Sequence, residues 1–117
     1  MIYFVDTNVL VYARDAAELV KQPLARAWMA HLWASRSGRL SVQVLNEYYV
    51  TVTRTLKPGL GPVDARGDIQ DLGAWEPVAL SPELTERAWE VEARFGLSFW
   101  DSLIVSAAAT GGADCLL

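Results

Sequence analysis

The feature that most constrains the fold is a short apolar run, Ile2 to Val5, that ends at an aspartate. An apolar run without alternation suits a strand buried on both faces of a parallel sheet. Later strand candidates alternate with helical patterns along the chain, at Arg39 to Val42, Pro77 to Leu80 and Cys115 to Leu117. This alternation predicts an α/β fold, a three-layer sandwich in which helices flank a mostly parallel central sheet.

Helix boundaries are marked by prolines, serines and glycines. Pro23 opens one helix, Ser41 and Ser81 are placed to cap two others, and Gly96 ends the second of these. The predicted helices run over Thr7 to Arg14, Pro23 to Arg36, Val42 to about Leu56, Pro62 to about Ala74, Pro82 to Phe95 and Ser98 to about Thr110. The residues predicted to face the core are Leu24, Ala27, Trp28 and Leu32 in the second helix and Leu84, Ala88, Trp89 and Val91 in the fifth.

Composition limits the class of protein. A chain of 117 residues with 52% hydrophobic content is the size of a single domain with one core. A lone cysteine, Cys115, excludes an intrachain disulfide, is expected to act as a small apolar filler, and leaves the cytoplasm as the default location. No segment approaches a bilayer-spanning length, so we expect no membrane association. The net charge of −4 opposes a general nucleic-acid coating protein, but not a nuclease whose acids bind a cation.

Three acids from distant segments lie among apolar residues. Asp6 directly follows the first strand, where ligands gather in parallel sheets, and Glu47 lies among aromatic and aliphatic neighbours. Asp101 is predicted to lie on the buried stripe of an apolar helix, without a Lys or Arg within a turn or two. If Asp6, Glu47 and Asp101 converge in the fold, we expect them to form a site for Mg2+ or Mn2+. Hard cations prefer carboxylates, and the chain lacks the clustered His and Cys that zinc would favour.

Each acid also has an ordinary structural interpretation. Ser98 and Asp101 have the spacing of a capping box, in which the carboxylate bonds back to the Ser98 amide. Asp6 or Thr7 can cap the first helix, and Glu47 can be a solvated helix charge. The only histidine, His31, has no companion ligand in the sequence and is predicted to be structural or exposed.

Three sequence blocks carry a family resemblance. They are Phe4-Val5-Asp6-Thr7-Asn8-Val9-Leu10, Leu45-Asn46-Glu47-Tyr48-Tyr49 and Leu97-Ser98-Phe99-Trp100-Asp101-Ser102-Leu103-Ile104. Over almost its whole length the chain resembles the PIN-domain ribonucleases, and within them the VapC-type toxins of toxin–antitoxin pairs. The resemblance implies a Mg2+- or Mn2+-dependent endoribonuclease that cuts RNA, is inhibited by a cognate antitoxin and is usually a homodimer. It also implies an acidic site of Asp6, Glu47 and Asp101, with Thr7 and Asn8 as polar support.

The family pattern departs from this sequence at one place. The family typically has another acid just after its fourth strand, and the sequence ends at Leu117 before that position. We therefore expect residues 1–117 to be a single PIN-like domain without its C-terminal end. The missing end would contain the last strand and one acid of the site. Asp114 precedes that strand and is not expected to replace the acid.

Other functions stay open from the sequence alone. A PIN-domain nuclease that processes RNA without an antitoxin would use the same site. The alternatives without catalysis are a receiver-like or metal-binding regulatory module and an inactive PIN domain that only binds partners. Arg14, Arg54 and Lys57 are candidate phosphate contacts, and Trp100 is the tryptophan most worth testing near a substrate.

Overall fold

A three-stranded parallel sheet forms the centre of the computed structural model, which describes residues 1–117. The first strand lies between the second and the third, with Tyr3 opposite both Gly38 and Cys115. The buried side chains of Phe4 and Val5 explain why the first strand is central. The strands are β1 (Tyr3–Phe4), β2 (Gly38–Arg39) and β3 (Cys115–Leu116).

Six α-helices surround this sheet, so the predicted α/β class is confirmed. Ser41, Ser81 and Ser98 each accept a backbone N–H bond three residues on, as the capping signals predict. A π-helix (Thr51–Thr55) continues the third helix, and a 3-10 helix (Gly73–Trp75) continues the fourth. The α-helices are α1 (Thr7–Arg14), α2 (Lys21–Ser35), α3 (Val42–Val50), α4 (Pro62–Leu72), α5 (Pro82–Phe95) and α6 (Phe99–Thr110).

The predicted strand at Pro77 to Leu80 is wrong. Only Val78 pairs there, in an isolated parallel bridge with Ser41, and it exchanges backbone hydrogen bonds with Leu40 and Val42. Pro77 has no N–H to extend the ladder, and Ser81 already caps α5. One bridge is therefore all that this segment adds beside β2.

The predicted apolar faces of two helices are partly wrong. α2 buries Ala25 and Leu32, whereas Leu24 and Trp28 are exposed. α5 buries its predicted residues Leu84 and Ala88, but Trp89 is 55% exposed. A broad apolar arc tells which side of a helix can be buried, and the neighbouring elements decide how much of that arc they cover.

The C-terminal strand lies at an edge of the sheet. β3 pairs with β1 on one side only, and both of its residues are exposed. Cys115 is therefore an exposed free thiol and not the apolar filler that the sequence predicts. No helix in the structure is long and apolar enough to cross a bilayer.

Candidate metal-dependent active site

Asp6 lies where the central strand ends and α1 begins. It is the N-cap residue of α1, and its Oδ1 accepts a hydrogen bond from the backbone N–H of Thr7 at 2.8 Å. The capping role and the position at the carboxyl end of β1 are thus both realised by the same side chain.

Glu47 projects from α3 with both carboxylate oxygens engaged. Its Oε2 accepts a hydrogen bond from Thr7 Oγ1 at 2.8 Å, and its Oε1 accepts one from Gln43 Nε2 at 3.0 Å. Gln43 precedes Glu47 by one helical turn, so the two side chains share a face of α3. These bonds hold the Glu47 carboxylate beside the start of α1.

Asp101 is exposed, which corrects the prediction that it lies on the buried side of its helix. It belongs to the first turn of α6, whereas the buried face of that helix begins with Ser102, Leu103 and Ile104. Half of the capping box forms, because Ser98 Oγ accepts a bond from the Asp101 N–H at 3.1 Å. The Asp101 carboxylate itself makes no hydrogen bond or ion pair in the chain.

The start of α1, α3 and α6 together enclose one open cleft of about 610 Å³. All five residues predicted for the site line it, namely Asp6, Thr7, Asn8, Glu47 and Asp101. The remaining lining residues are Gln43, Asn46, Val50, Thr51, Trp100 and Ile104. The cleft therefore contains carboxylate, amide and hydroxyl groups but no lysine or arginine.

The charge of this cleft is uncompensated within the chain. The single ion pair of the structure joins Arg14 to Asp68, so no basic side chain pairs with any of the three cleft acids. Burial raises the pKa of Asp6, and the negative charges of Glu47 and Asp101 raise it further, against the opposing bond from the Thr7 amide. A bound cation would relieve this repulsion.

The donor set of the cleft suits a hard divalent cation. Carboxylate oxygens without basic partners are the ligands that Mg2+ and Mn2+ prefer, and no thiolate or imidazole competes. No group of three or more His, Cys, Asp or Glu side chains is close enough together to hold a metal ion. The acids therefore share the cleft and fit the ion by chemistry, without forming a closed coordination shell.

Comparison with known proteins gives the family. The family model of the PIN domain matches residues 3–116, which is nearly the whole chain. The chain belongs to the PIN-domain family. The solved structure of Mycobacterium tuberculosis VapC20, a sarcin-ricin loop cleaving toxin, matches 97% of this PIN domain and 86% of its own chain. The TM-score is 0.73 at 24% sequence identity, a likeness that shows the fold. A search of curated proteins found no match.

The three basic residues proposed as phosphate contacts do not line the cleft of this PIN domain. Arg14 binds Asp68 through Nε and Nη2, and the hydroxyl of Tyr48 donates to the same carboxylate. Arg14 is therefore paired with Asp68 outside the cleft, in an ion pair that solvent can reach. Arg54 and Lys57 are exposed beyond the end of α3.

Asp114 lies at the other end of the sheet. Its Oδ2 accepts a hydrogen bond from the Ile2 N–H at 2.8 Å, which places it before β1, whereas Asp6 follows β1. Asp114 therefore lies away from the cleft, as expected from the sequence.

Gln43 is a residue of the cleft that was not predicted from the sequence. Gln43 is 6% exposed, and besides Glu47 its Nε2 lies 3.5 Å from the backbone oxygen of Trp100 on α6. Its Oε1 is buried without a hydrogen-bond partner. The spacing of four residues between Gln43 and Glu47 was the available signal.

Proposed function

We propose that this PIN domain is a Mg2+- or Mn2+-dependent endoribonuclease that hydrolyses RNA phosphodiesters as the toxin of a type II toxin–antitoxin system. The observation that carries the proposal is the meeting of Asp6, Glu47 and Asp101 in one cleft without any basic partner. Family membership supports a nuclease, and the fold shared with a sarcin-ricin loop cleaving toxin supports the toxin role.

In this proposal Asp6 and Asp101 would hold the cation directly, and Glu47 stands beside them in the same cleft. Asp101 has no other bonding partner, and Asp6 stands at the carboxyl end of the central strand. Glu47 either ligates the ion, orients a water or acts as a base. When bound, the ion lowers the pKa of water and stabilises negative charge on the phosphate.

The neighbouring polar residues position the acids and the substrate. Thr7 and Gln43 each donate to one oxygen of Glu47, which restricts rotation of the carboxylate and directs its remaining lone pairs. Asn8 and Asn46 line the same cleft and offer amide groups to RNA hydroxyls and phosphate oxygens. Water is the proposed nucleophile.

We also propose that a further acid completes the site in a longer chain, as the family resemblance implies. β3 runs parallel to β1, and the Leu117 N–H donates to the oxygen of Phe4. Residues following Leu117 would therefore emerge at the end of the sheet where Asp6 lies. In this proposal residues 1–117 form most of one PIN domain.

The proposed partners are the RNA substrate, a cognate antitoxin and a second copy of the chain. Exposed apolar side chains, among them Leu24, Trp28 and Trp89, support protein partners because they leave apolar surface uncovered. Cytoplasmic location follows from the proposed role, since the toxin and its RNA target must meet there. The receiver-like alternative is dropped, because the chain is a PIN domain.

The test is cleavage of a mixed RNA pool with Mg2+ or Mn2+. We expect EDTA to abolish cleavage. Asp101→Asn should reduce it at least about 10- to 100-fold, the loss typical of removing a residue that merely supports a metal ligand. Asp64→Asn is the matched control, because Asp64 is exposed at the start of α4 and outside the cleft. Cleavage that survives EDTA, or that both variants affect equally, would contradict the proposal.

A C-terminally extended chain belongs in the same assay. Cleavage by the extended chain alone would support the further acid after Leu117. If neither form cuts any RNA, the inactive PIN domain that only binds partners becomes the better explanation.

A further inference from the structure

Trp100 is an exposed aromatic side chain at the proposed catalytic cleft. It directly precedes Asp101, lines the cleft and is 64% exposed. Burial of apolar surface is what an indole contributes to a core, and an indole this exposed contributes little of it. Packing of the fold therefore does not account for Trp100.

The position of Trp100 is well defined despite its exposure. Trp100 lies in the first turn of α6, which Ser98 caps, and its backbone oxygen lies 3.5 Å from Gln43 Nε2. Its ring contacts Phe99 edge to face, with 5.3 Å between the ring centroids and 69° between the planes. Such a contact covers at most one face of the indole, which leaves the other face available.

The rest of the cleft offers RNA little attraction of its own. It has three acids and no lysine or arginine, so no side chain there attracts the RNA backbone by charge. Affinity beside the reacting phosphate must come from the cation and from neutral contacts. A base stacked on an aromatic ring is a strong neutral contact, and every nucleobase has a face to offer.

We propose that Trp100 forms a nucleobase subsite, in which the base next to the scissile phosphate stacks on the free face of the indole. The proposal rests on the endoribonuclease function proposed above, and it names the residue that binds the base of the substrate. The base must be unpaired, because a base within a duplex stacks on its neighbours and cannot reach the ring. Gln43 would support the subsite by holding the backbone of Trp100.

The test combines Trp100→Ala with removal of the base. The RNA is a fluorescently labelled oligonucleotide that contains a cleavage site mapped with the unaltered or the C-terminally extended chain. A matched oligonucleotide lacks one base beside that site. Binding is measured in Mg2+ by fluorescence anisotropy, on full-length chains that carry Asp101→Asn so that the RNA stays intact. We expect Trp100→Ala to weaken binding of the intact RNA about 5- to 150-fold, the loss typical of one base stack.

The losses of affinity caused by Trp100→Ala and by removal of the base should not add. Loss of the stacked base should itself weaken binding to the chain with Trp100, and Trp100→Ala should then have little further effect. Trp100→Phe should retain most of the affinity because it keeps an aromatic face. Trp89→Ala is the matched control, since Trp89 is 55% exposed on α5 and outside the cleft.

Unchanged binding by Trp100→Ala would overturn the subsite, and so would an equal loss with intact and abasic RNA. In either case cleavage by the unaltered chain would leave the endoribonuclease proposal standing. If neither the unaltered chain nor the C-terminally extended chain binds or cuts any RNA, the proposed function is overturned and the subsite with it.

Discussion

Tyr48→Phe tests how the fold holds the helix that carries Glu47. Tyr48 is buried on α3, and its hydroxyl donates to Asp68 Oδ2 on α4. Arg14 on α1 donates to the same carboxylate through Nε at 2.9 Å and through Nη2. One carboxylate thus ties α1, α3 and α4 together.

The size of the effect follows from these contacts. A hydrogen bond to a charged group contributes about 1.5 to 3 kcal/mol to stability. Phe fills the same space, and Asp68 keeps Arg14 and some contact with water, since 23% of its side chain is accessible. We therefore expect Tyr48→Phe to lower the free energy of unfolding by about 1.5 to 2 kcal/mol, near the lower end of this range. For 117 residues the unfolding entropy is about 0.25 kcal/mol per kelvin, so the melting temperature should fall about 6 to 8 °C.

Urea and thermal unfolding of the full chain, followed by circular dichroism, measure this loss. The matched control is Tyr49→Phe, because the Tyr49 hydroxyl makes no hydrogen bond in the structure and its ring is only partly buried. We expect the control to change stability by less than about 0.5 kcal/mol. Equal effects of the two substitutions would refute the argument that Asp68 stabilises α3 through Tyr48.

The Tyr48 hydroxyl also makes the stability difference between the unaltered chain and Tyr48→Phe depend on pH. Burial, followed by the bond to Asp68 and its negative charge, raises the pKa of Tyr48 above its ordinary value of 10.0. Because the fold favours the protonated hydroxyl, its contribution is fully present below pH 10.0 and is lost as the pH rises through the raised pKa. The difference between the unaltered chain and Tyr48→Phe should therefore shrink in strong alkali.

Substitutions at three further positions test the cleft and the sheet. Thr7→Val removes the hydroxyl that donates to Glu47 and should lower kcat/KM for RNA about 10- to 100-fold, whereas Thr7→Ser should retain most activity. The raised pKa of Asp6 means that the fold disfavours its charge, so urea unfolding without metal should show stability falling as the pH rises from 3.8 through that raised pKa. Asp6→Asn keeps the helix cap and should flatten this fall. Gly38→Ala would place a Cβ within 2.8 Å of three atoms of the Trp75 ring and should lower the free energy of unfolding by about 1 to 3 kcal/mol, measured in urea.

Local signals in the sequence predict most helix boundaries correctly. Serine capping depends on bonds between residues three apart, so Ser41, Ser81 and Ser98 begin their helices as expected. Gly96 ends α5 with a positive φ of 68°, which glycine adopts without strain. Strand pairing is not local, and the segment around Val78 makes a single bridge because its hydrogen bonds depend on a distant neighbour.

The three acids show the same division between local and distant effects. Their chemistry is evident from the sequence, because a carboxylate offers oxygen ligands to a hard cation wherever it lies. Their exposure is not evident, since Asp101 lies on an apolar stripe and is nevertheless exposed in the first turn of α6. A helical period ranks the faces of a helix but does not say where along its length a neighbour begins to cover it.

By itself, the sequence determined the α/β class and the helix caps, because these depend on residue chemistry and on contacts within a few positions. It also singled out the carboxylates that are proposed to bind a cation. Only the tertiary structure decided that Gln43 bridges towards α6, that Arg14 is held by Asp68, and that Trp100 is exposed beside the acids. Each of these outcomes depends on which elements pack together and on how much of each side chain that packing covers. That is a property of the whole chain, because packing energy is shared among residues far apart in sequence.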